Sequence, residues 1–308
     1  MNAAALLKVV NFYGRFTPSF TVIGYRARGL PGRPRYPGLA GKRIVISGAS
    51  AGIGASMALA AAENGAEVIA IGRNREALDD LIAQCAGPGR IEADICDLSL
   101  AAETRALAER LCARGNVDAL VNNVGILDQR YSETEEGIAR MYAVNILNPF
   151  ILTETLIACG ALKPWSAIIN MASGGLYNAP QNLVYMKQKP EGFSGVAGYA
   201  THKRAQIVLT NDWAARGFAA YTMHPGWVDT PGVQRSLPKF RKILHPILRN
   251  GAQGADTALW LIENQPDPVD GALWFDRKPR PAHAYARTRQ PLASDADVIA
   301  MLKADAGL

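Results

Sequence analysis

Cysteine and histidine are scarce: the 308 residues hold four of each. Cys85, Cys96, Cys112 and Cys159 show no C-x-x-C spacing and do not group with the histidines. Neither a disulfide framework nor a zinc site is therefore expected, and the thiols read as buried or indifferent in a reducing compartment. Long apolar runs are also missing. The N-terminal "MNAAALLKVVNFYGRFTPSFTVIGY" is broken by Lys8, Arg15 and Pro18, leaving 16–25 as its longest uncharged run. A spanning helix needs about 20 residues, and charge interrupts this run instead of preceding it, so a secretory signal is a poor match. No internal repeat or low-complexity tract is present. The net charge of +6 comes without a base-reading module, so nucleic acid is not an expected partner. Basic residues crowd the ends, at Arg26, Arg28, Arg33 and Arg35 and at Arg277, Lys278, Arg280, Arg287 and Arg289. They read as solvated tails or as contacts to an anionic membrane surface.

What is present is a hydrophobic content of 49%, enough for a substantial core. After the proline- and glycine-rich stretch 28–42, apolar β-branched runs alternate with helical patterns. The strand candidates are "RIVIS", "EVIAI", "RIEAD", "DALVNN", "SAIINMA", "AAYTMH" and "ALWF". Helices are expected over 54–64, 74–84, 101–113, 134–160 and 198–216. Strand followed by helix implies right-handed crossovers and a doubly wound, parallel α/β sheet. The expected organisation is an N-terminal extension and linker (1–40), one α/β domain (41–285) and a C-terminal tail (286–308). In the extension Leu6, Val9, Val10 and Tyr13 share a helical face, to pack on the domain or to lie in a membrane interface. In the tail Ser294 and Asp297 have capping-box spacing before Val298, Ile299, Met301 and Leu302.

Behind the first strand comes "SGASAGIG", residues 47–54. Gly48, Ser50, Ala51, Gly52, Ile53 and Gly54 are small enough for a pyrophosphate to rest on backbone N–H groups at a helix's positive end. In a strand-turn-helix setting this predicts dinucleotide binding. An acidic residue at the end of the second strand would accept hydrogen bonds from the ribose of NAD. This chain has Gly72 and then Arg73, a planar fork suited to a 2′-phosphate, so NADP(H) is expected in preference to NAD(H).

Further along stand "NNVG" (122–125), "YAVN" (142–145), "NMASGG" (170–175), "YATHK" (199–203) and "HPGWVDT" (224–230). In this order behind the glycine turn, the set resembles the short-chain dehydrogenase/reductases, over roughly residues 41–276. The resemblance implies a Rossmann-type fold and hydride transfer between nicotinamide and a carbonyl or secondary alcohol. Tyr199 would be the general acid or base, its phenol lowered from about 10 by a nearby Lys203 ammonium. Lys203 would also hold the nicotinamide ribose, Ser173 would hold the substrate oxygen, and Asn145 would support a water that completes a proton relay. Asp94 and Ile95 match adenine-side positions. Asn122 and Gly125 match the segment after the fourth strand, where Asn122 more often steadies the sheet. Pro225, Gly226, Val228 and Thr230 match the segment that holds the carboxamide. Ser47 replaces a usual threonine and Val124 a usual alanine. The interval from Ser173 to Tyr199 is longer than is common, as in the retinol-dehydrogenase-like branch. "MHPGWVDTPGV", "AQGADTALWL" and "FDRKPRPAH" are similar to the family member 12-type subgroup.

On the substrate side, Leu176, Tyr177, Leu183, Tyr185 and Met186 of the long interval are expected to wall the mouth. Leu237, Phe240, Ile243 and Leu244 share a face of a lid helix that Pro246 should stop or kink, beside basic Lys239, Arg241 and Lys242. An apolar lid points to a small hydrophobic, lipid-like carbonyl or alcohol. The family resemblance also admits a homo-oligomer. The expected location is cytoplasmic, with peripheral membrane contact through residues 1–40 as an option. The alternative to an enzyme is a nucleotide-sensing or membrane-surface binding protein on the same fold.

Overall fold

A computed structural model of the chain describes residues 3–32 and 34–308, with side chains from residue 11 onward. Arg33 and the side chains of Leu6, Val9 and Val10 lie outside the described residues. All seven apolar runs become strands: β1 (Arg43–Ser47), β2 (Glu67–Gly72), β3 (Arg90–Ile95), β4 (Val117–Asn122), β5 (Leu162–Met171), β6 (Ala219–Met223) and β7 (Ala272–Phe275). They pair in parallel in the order β3-β2-β1-β4-β5-β6-β7. Their runs are apolar on both sides because helices cover both faces. Helices Gly52–Glu63, Arg75–Ala83 and Gly251–Asn264 close one face around Ile44, Ile46, Met57 and Leu259. Ala101–Ala113, Arg140–Ala158 and Gly195–Ala215 close the other around Val45, Leu107, Phe150 and Trp213. The winding direction reverses between β1 and β4, which opens a crevice at the strands' carboxyl ends.

Arg140–Ala158 is the one helix among the described residues long and apolar enough to cross a membrane, and 78% of it is buried inside the protein. It is a core helix. The C-terminal helix Asp295–Ala306 carries the expected capping box between Ser294 and Asp297 and buries Val298 and Leu302.

Two features depart from expectation. Cys112 and Cys159 form a disulfide, whereas Cys85 and Cys96 are free. The partners are 47 residues apart, and only the side-by-side packing of two helices brings their ends together. Next, β8 (Lys278–Pro281) extends the sheet antiparallel to β7. Its sequence, KPRP, lacks strand character, but as an edge strand it tolerates proline. The connecting turn is Asp276–Arg277, both at positive φ (52° and 61°), the geometry of a two-residue hairpin. Ion pairs hold it. Asp276 pairs with Arg249 at 2.6 Å and Arg28 at 2.8 Å, and Arg277 pairs with Asp256 at 2.5 Å.

The N-terminal extension packs on the body, one of the two placements expected for it. Helix Ala3–Phe20 runs into helix Val22–Ala27, and Phe16, Phe20, Tyr25 and Tyr36 are buried. The Tyr36 hydroxyl donates to Asp256 at 2.8 Å, and the Trp227 N–H donates to the Phe20 carbonyl at 2.8 Å.

Candidate active site

At the end of β1 the Ser47 hydroxyl accepts from the N–H groups of Asn123 (2.9 Å) and Val124 (3.1 Å) and donates to the Val121 carbonyl (3.1 Å). It clasps β1 to the end of β4 and sets the width of the crevice. Gly48 and Gly52 take φ of +66° and +61°, so a side chain at either would be strained. A Cβ at Gly54 would collide with the Gly48 carbonyl, so this glycine lets the helix sit on the turn. Ser50, Ala51, Gly52 and Ile53 line the cavity, and no side chain caps the helix that begins at Gly52. Its first N–H groups are free for an anion. This cradle fits a dinucleotide pyrophosphate.

Gly72 and Arg73 follow on β2. Arg73 borders a side recess with Arg75, Arg235 and the first turn of helix Arg75–Ala83, and its guanidinium meets Asp97 at 3.2 Å. Burial alone would raise the Asp97 carboxyl, but hydrogen bonds from Ser99 and Arg73 outweigh it and the net shift is downward. Asp94 and Ile95, contrary to expectation, do not line the cavity. β3 runs through Ile95, so the loop at its carboxyl end is Cys96 to Ser99, and those residues line the cavity. Asp94 is buried against Arg110 at 2.6 Å, and Ile95 is exposed outside the cavity. Asn122 lies inside the sheet, donating to Thr153 and Asn170 at 3.1 Å each, while Asn123, Val124 and Gly125 face the crevice. Pro225, Gly226, Val228 and Thr230 line the cavity. Gly226 is at φ +80°, with the Arg249 guanidinium filling the space a side chain would need.

Tyr199 and Lys203 sit one turn apart on Gly195–Ala215, whose N-cap Ser194 accepts from the Ala197 N–H. With Ser173, just past β5, they line one cavity. The Lys203 ammonium lies 5.7 Å from the Tyr199 ring centre and donates to the Met171 carbonyl at 2.7 Å. Burial pulls Lys203 down to about 7, so it is not the fixed positive charge the sequence reading assumed. Burial raises the Tyr199 phenol, opposed by the neighbouring Ser173 hydroxyl. At neutral pH Tyr199 is therefore protonated, the form that donates to a carbonyl oxygen.

Asn145 lies in a π-helical turn, Ala143–Leu147, an irregularity frequent at functional sites. Its amide accepts from the Ile126 N–H (2.8 Å) and donates to the Ile126 carbonyl (2.9 Å). It braces the strand end beside Gly125 and does not face the cavity.

Two histidines escaped the sequence reading. His202 bridges the Met186 carbonyl (2.9 Å) and the Asn145 amide (3.3 Å), and burial lowers it to about 4. His224 lines the cavity with both ring nitrogens unpartnered, and burial, then Arg249, lowers it to about 3. Between pH 6.5 and about 4 the unfolded chain binds protons that these folded sites refuse. Stability must therefore fall as pH falls through that window, by up to ~1.4 kcal/mol per pH unit for each histidine. Urea midpoints at pH 7, 5.5 and 4.5 check this, and the His224→Phe variant is expected to show a shallower decline.

The cavity encloses about 1260 Å³, above the roughly 300–1,000 Å³ of a typical small-molecule pocket, as a dinucleotide plus a substrate would require. Phe240 faces it from helix Pro238–Leu244 and Leu237 from the junction between that helix and Pro231–Ser236, whereas Ile243 is exposed. Pro238 opens the second lid helix, and Pro246 lies in the short turn His245–Ile247 that follows it. Arg241 closes on Asp229 at 2.7 Å, and that hydrogen bond is the largest reason the Asp229 carboxyl sits low. The long interval contributes Asn178 and Val196, while Leu176, Tyr177 and Met186 are buried away from the cavity. Their expected place at the mouth is taken by Phe12 and Tyr13 of the N-terminal helix. Among the described residues no cluster of histidine, cysteine or carboxylate side chains could hold a metal.

Comparison with known proteins agrees with this geometry. Residues 42–239 match the short chain dehydrogenase family. Dehydrogenase/reductase SDR family member 12 of Bos taurus is 34% identical, with 85% of this chain and 86% of that protein aligned. A Streptomyces protein provisionally named daunorubicin C-13 ketoreductase DnrU is 30% identical over 79% of this chain and 86% of its own length. Among solved structures, a Beutenbergia cavernae protein provisionally described as an NAD(P)-dependent gluconate 5-dehydrogenase, with NADP bound at low occupancy, superposes with a TM-score of 0.60. It is 25% identical and covers 78% of this chain and 97% of its own. The chain belongs to the short-chain dehydrogenase/reductase family of oxidoreductases.

Proposed function

We propose that the protein is an NADP(H)-dependent reductase of bulky apolar carbonyl compounds, able to run in reverse on the corresponding secondary alcohols. One observation carries the reading: Ser173, Tyr199 and Lys203 line the same cavity as the glycine cradle and Arg73. Bound NADP(H) would supply or accept the hydride. Gly48 to Ile53 would hold the pyrophosphate, with Gly54 seating the helix. Arg73 would hold the 2′-phosphate, Asp97 and Leu98 would lie at the adenine, and Pro225 to Thr230 would hold the carboxamide. Ser173 orients the substrate oxygen, Tyr199 donates its proton to it, and Lys203 holds the ribose. Asn145 acts through the Gly125–Ile126 backbone. The apolar lid supports a hydrophobic substrate, and the daunorubicin ketone in the name of one relative points the same way.

The test follows oxidation of NADPH and NADH with a panel of apolar aldehydes, ketones and quinones, using wild type and Arg73→Asp. Wild type is expected to prefer NADPH, and the substitution to weaken NADPH about 100-fold relative to NADH, because a charge-assisted fork becomes a repulsion. Equal effects on the two cofactors would remove Arg73 from the 2′-phosphate. NADPH binding with no turnover on any carbonyl would favour the nucleotide-sensing alternative.

A further inference from the structure

We propose that the N-terminal helix is a working part of the substrate site. Phe12 and Tyr13, with Trp227 and Phe240, form an aromatic wall that selects a flat fused-ring carbonyl compound over a linear one of equal size. The inference rests on the reading that this cavity takes a carbonyl substrate. All four rings line the cavity that holds Ser173 and Tyr199. They arrive from three separate stretches of chain and meet as one cluster. Tyr13 lies 5.6 Å from Trp227 and 5.9 Å from Phe240, Trp227 lies 5.2 Å from Phe240, and Phe12 lies 6.3 Å from Trp227. Phe12 and Tyr13 are only half-buried, so they still have surface to offer a ligand.

The wall is held at a set distance from the chemistry. The backbone N–H of Trp227, two residues past Pro225 of the carboxamide segment, donates to the Phe20 carbonyl at 2.8 Å. The Phe20 ring packs against Gly174, the neighbour of Ser173, so closely that a Cβ there would lie 2.8 Å from Phe20 Cε2. Beneath it Phe16 stacks on Phe20 at 4.6 Å and on Tyr177 at 5.2 Å. A rigid face of rings gains more from offset and edge contacts to a planar π-system than from a methylene chain, and a flexible chain loses more rotor freedom on binding. If the cluster were lid packing alone, removing its rings would affect flat and linear compounds alike.

The test compares 2-acetylnaphthalene with 2-dodecanone, ketones of equal carbon count. Wild type, the double variant Phe12→Leu/Tyr13→Leu and the single variant Phe240→Leu are used. Leucine keeps apolar bulk and helix propensity, and thermal unfolding verifies each fold. Calorimetric binding to the NADPH-loaded protein is one readout, and the ratio of kcat/KM values is the other. The double variant is expected to lose about tenfold in affinity for 2-acetylnaphthalene relative to 2-dodecanone, with Phe240→Leu shifting the ratio in the same direction. Equal losses on both ketones, unchanged ratios, or no binding of 2-acetylnaphthalene to wild type would overturn the wall. Fused-ring binding that the variants lose, without turnover in any protein, would sink the reductase reading and leave the wall standing. Turnover with unaltered preference would do the reverse.

Discussion

Tyr199→Phe is expected to lower turnover on any accepted carbonyl by on the order of 10³-fold while leaving NADPH affinity within a few-fold, because general acid catalysis contributes about 10²–10⁴. The substitution removes one oxygen and nothing else. The ring keeps its place one turn from Lys203, whose ammonium is held by the Met171 carbonyl at 2.7 Å without help from the phenol. The helix keeps its Ser194 cap. What disappears is the proton that Tyr199, in the proposed reaction, gives to the substrate oxygen. Burial keeps that proton on the phenol at neutral pH, and the cationic form of Lys203, populated below about 7, would pull it toward release. The pH dependence of kcat in wild type should therefore change as Lys203 titrates, and the residual activity of Tyr199→Phe should not follow it. Single-turnover rates with saturating NADPH measure this. A variant within tenfold of wild type would take Tyr199 out of the acid's role.

The parts of this site that were legible in the sequence are those where backbone geometry dictates residue type. Gly48 and Gly52 need positive φ, Tyr199 and Lys203 need one helical face, and the apolar strands need burial on both sides. Each leaves a local signature. Asp94 and Ile95 show the limit of a local signature. β3 runs through Ile95, so the loop that lines the cavity begins at Cys96, while Asp94 stays inside the strand against Arg110. Asn122 is the last residue of β4 and turns to Thr153 and Asn170, whereas Asn123 follows the strand and lies in the crevice, a one-residue difference that the pair of asparagines does not announce. The features missed altogether all join distant segments. The Cys112–Cys159 disulfide, the β7–β8 hairpin and the Phe12–Tyr13 wall depend on which surfaces meet, and the chain "RGLPGRPRYPGLAGK" gives no sign that Tyr36 will be buried on Asp256. The same packing changes how the extension should be probed. Deleting residues 1–40 would remove Tyr36, Arg28 and the Phe20 carbonyl together, so a lost membrane affinity in such a truncation could reflect a damaged fold.

Asp276→Asn is expected to destabilise the protein by about 3–5 kcal/mol, the usual consequence of breaking a buried ion pair by removing one partner. Asp276 and Arg249 are each 1% exposed at the side chain and meet at 2.6 and 2.9 Å, with Arg28 adding a third contact at 2.8 Å. Arg249 also donates to the carbonyls of Ser19, Thr21 and Pro225, so this guanidinium ties the N-terminal helix to the hairpin. Asparagine preserves the shape and tolerates the left-handed backbone at φ 52° as aspartate does. The substitution thus isolates the charge, leaving Arg249 buried and unneutralised beneath Gly226. Arg28 is 28% exposed, and Arg28→Ala should cost only about 1 kcal/mol, because solvent can take over part of its role. Urea unfolding at pH 7 separates the two, and the loss in Asp276→Asn should persist in high salt, since a buried pair is poorly screened. NADPH affinity should also fall in Asp276→Asn, because Arg249 fixes the Pro225–Gly226 turn from below. A midpoint equal to wild type would mean that the hairpin and the extension are held by their apolar contacts alone, with the ion pair a passenger.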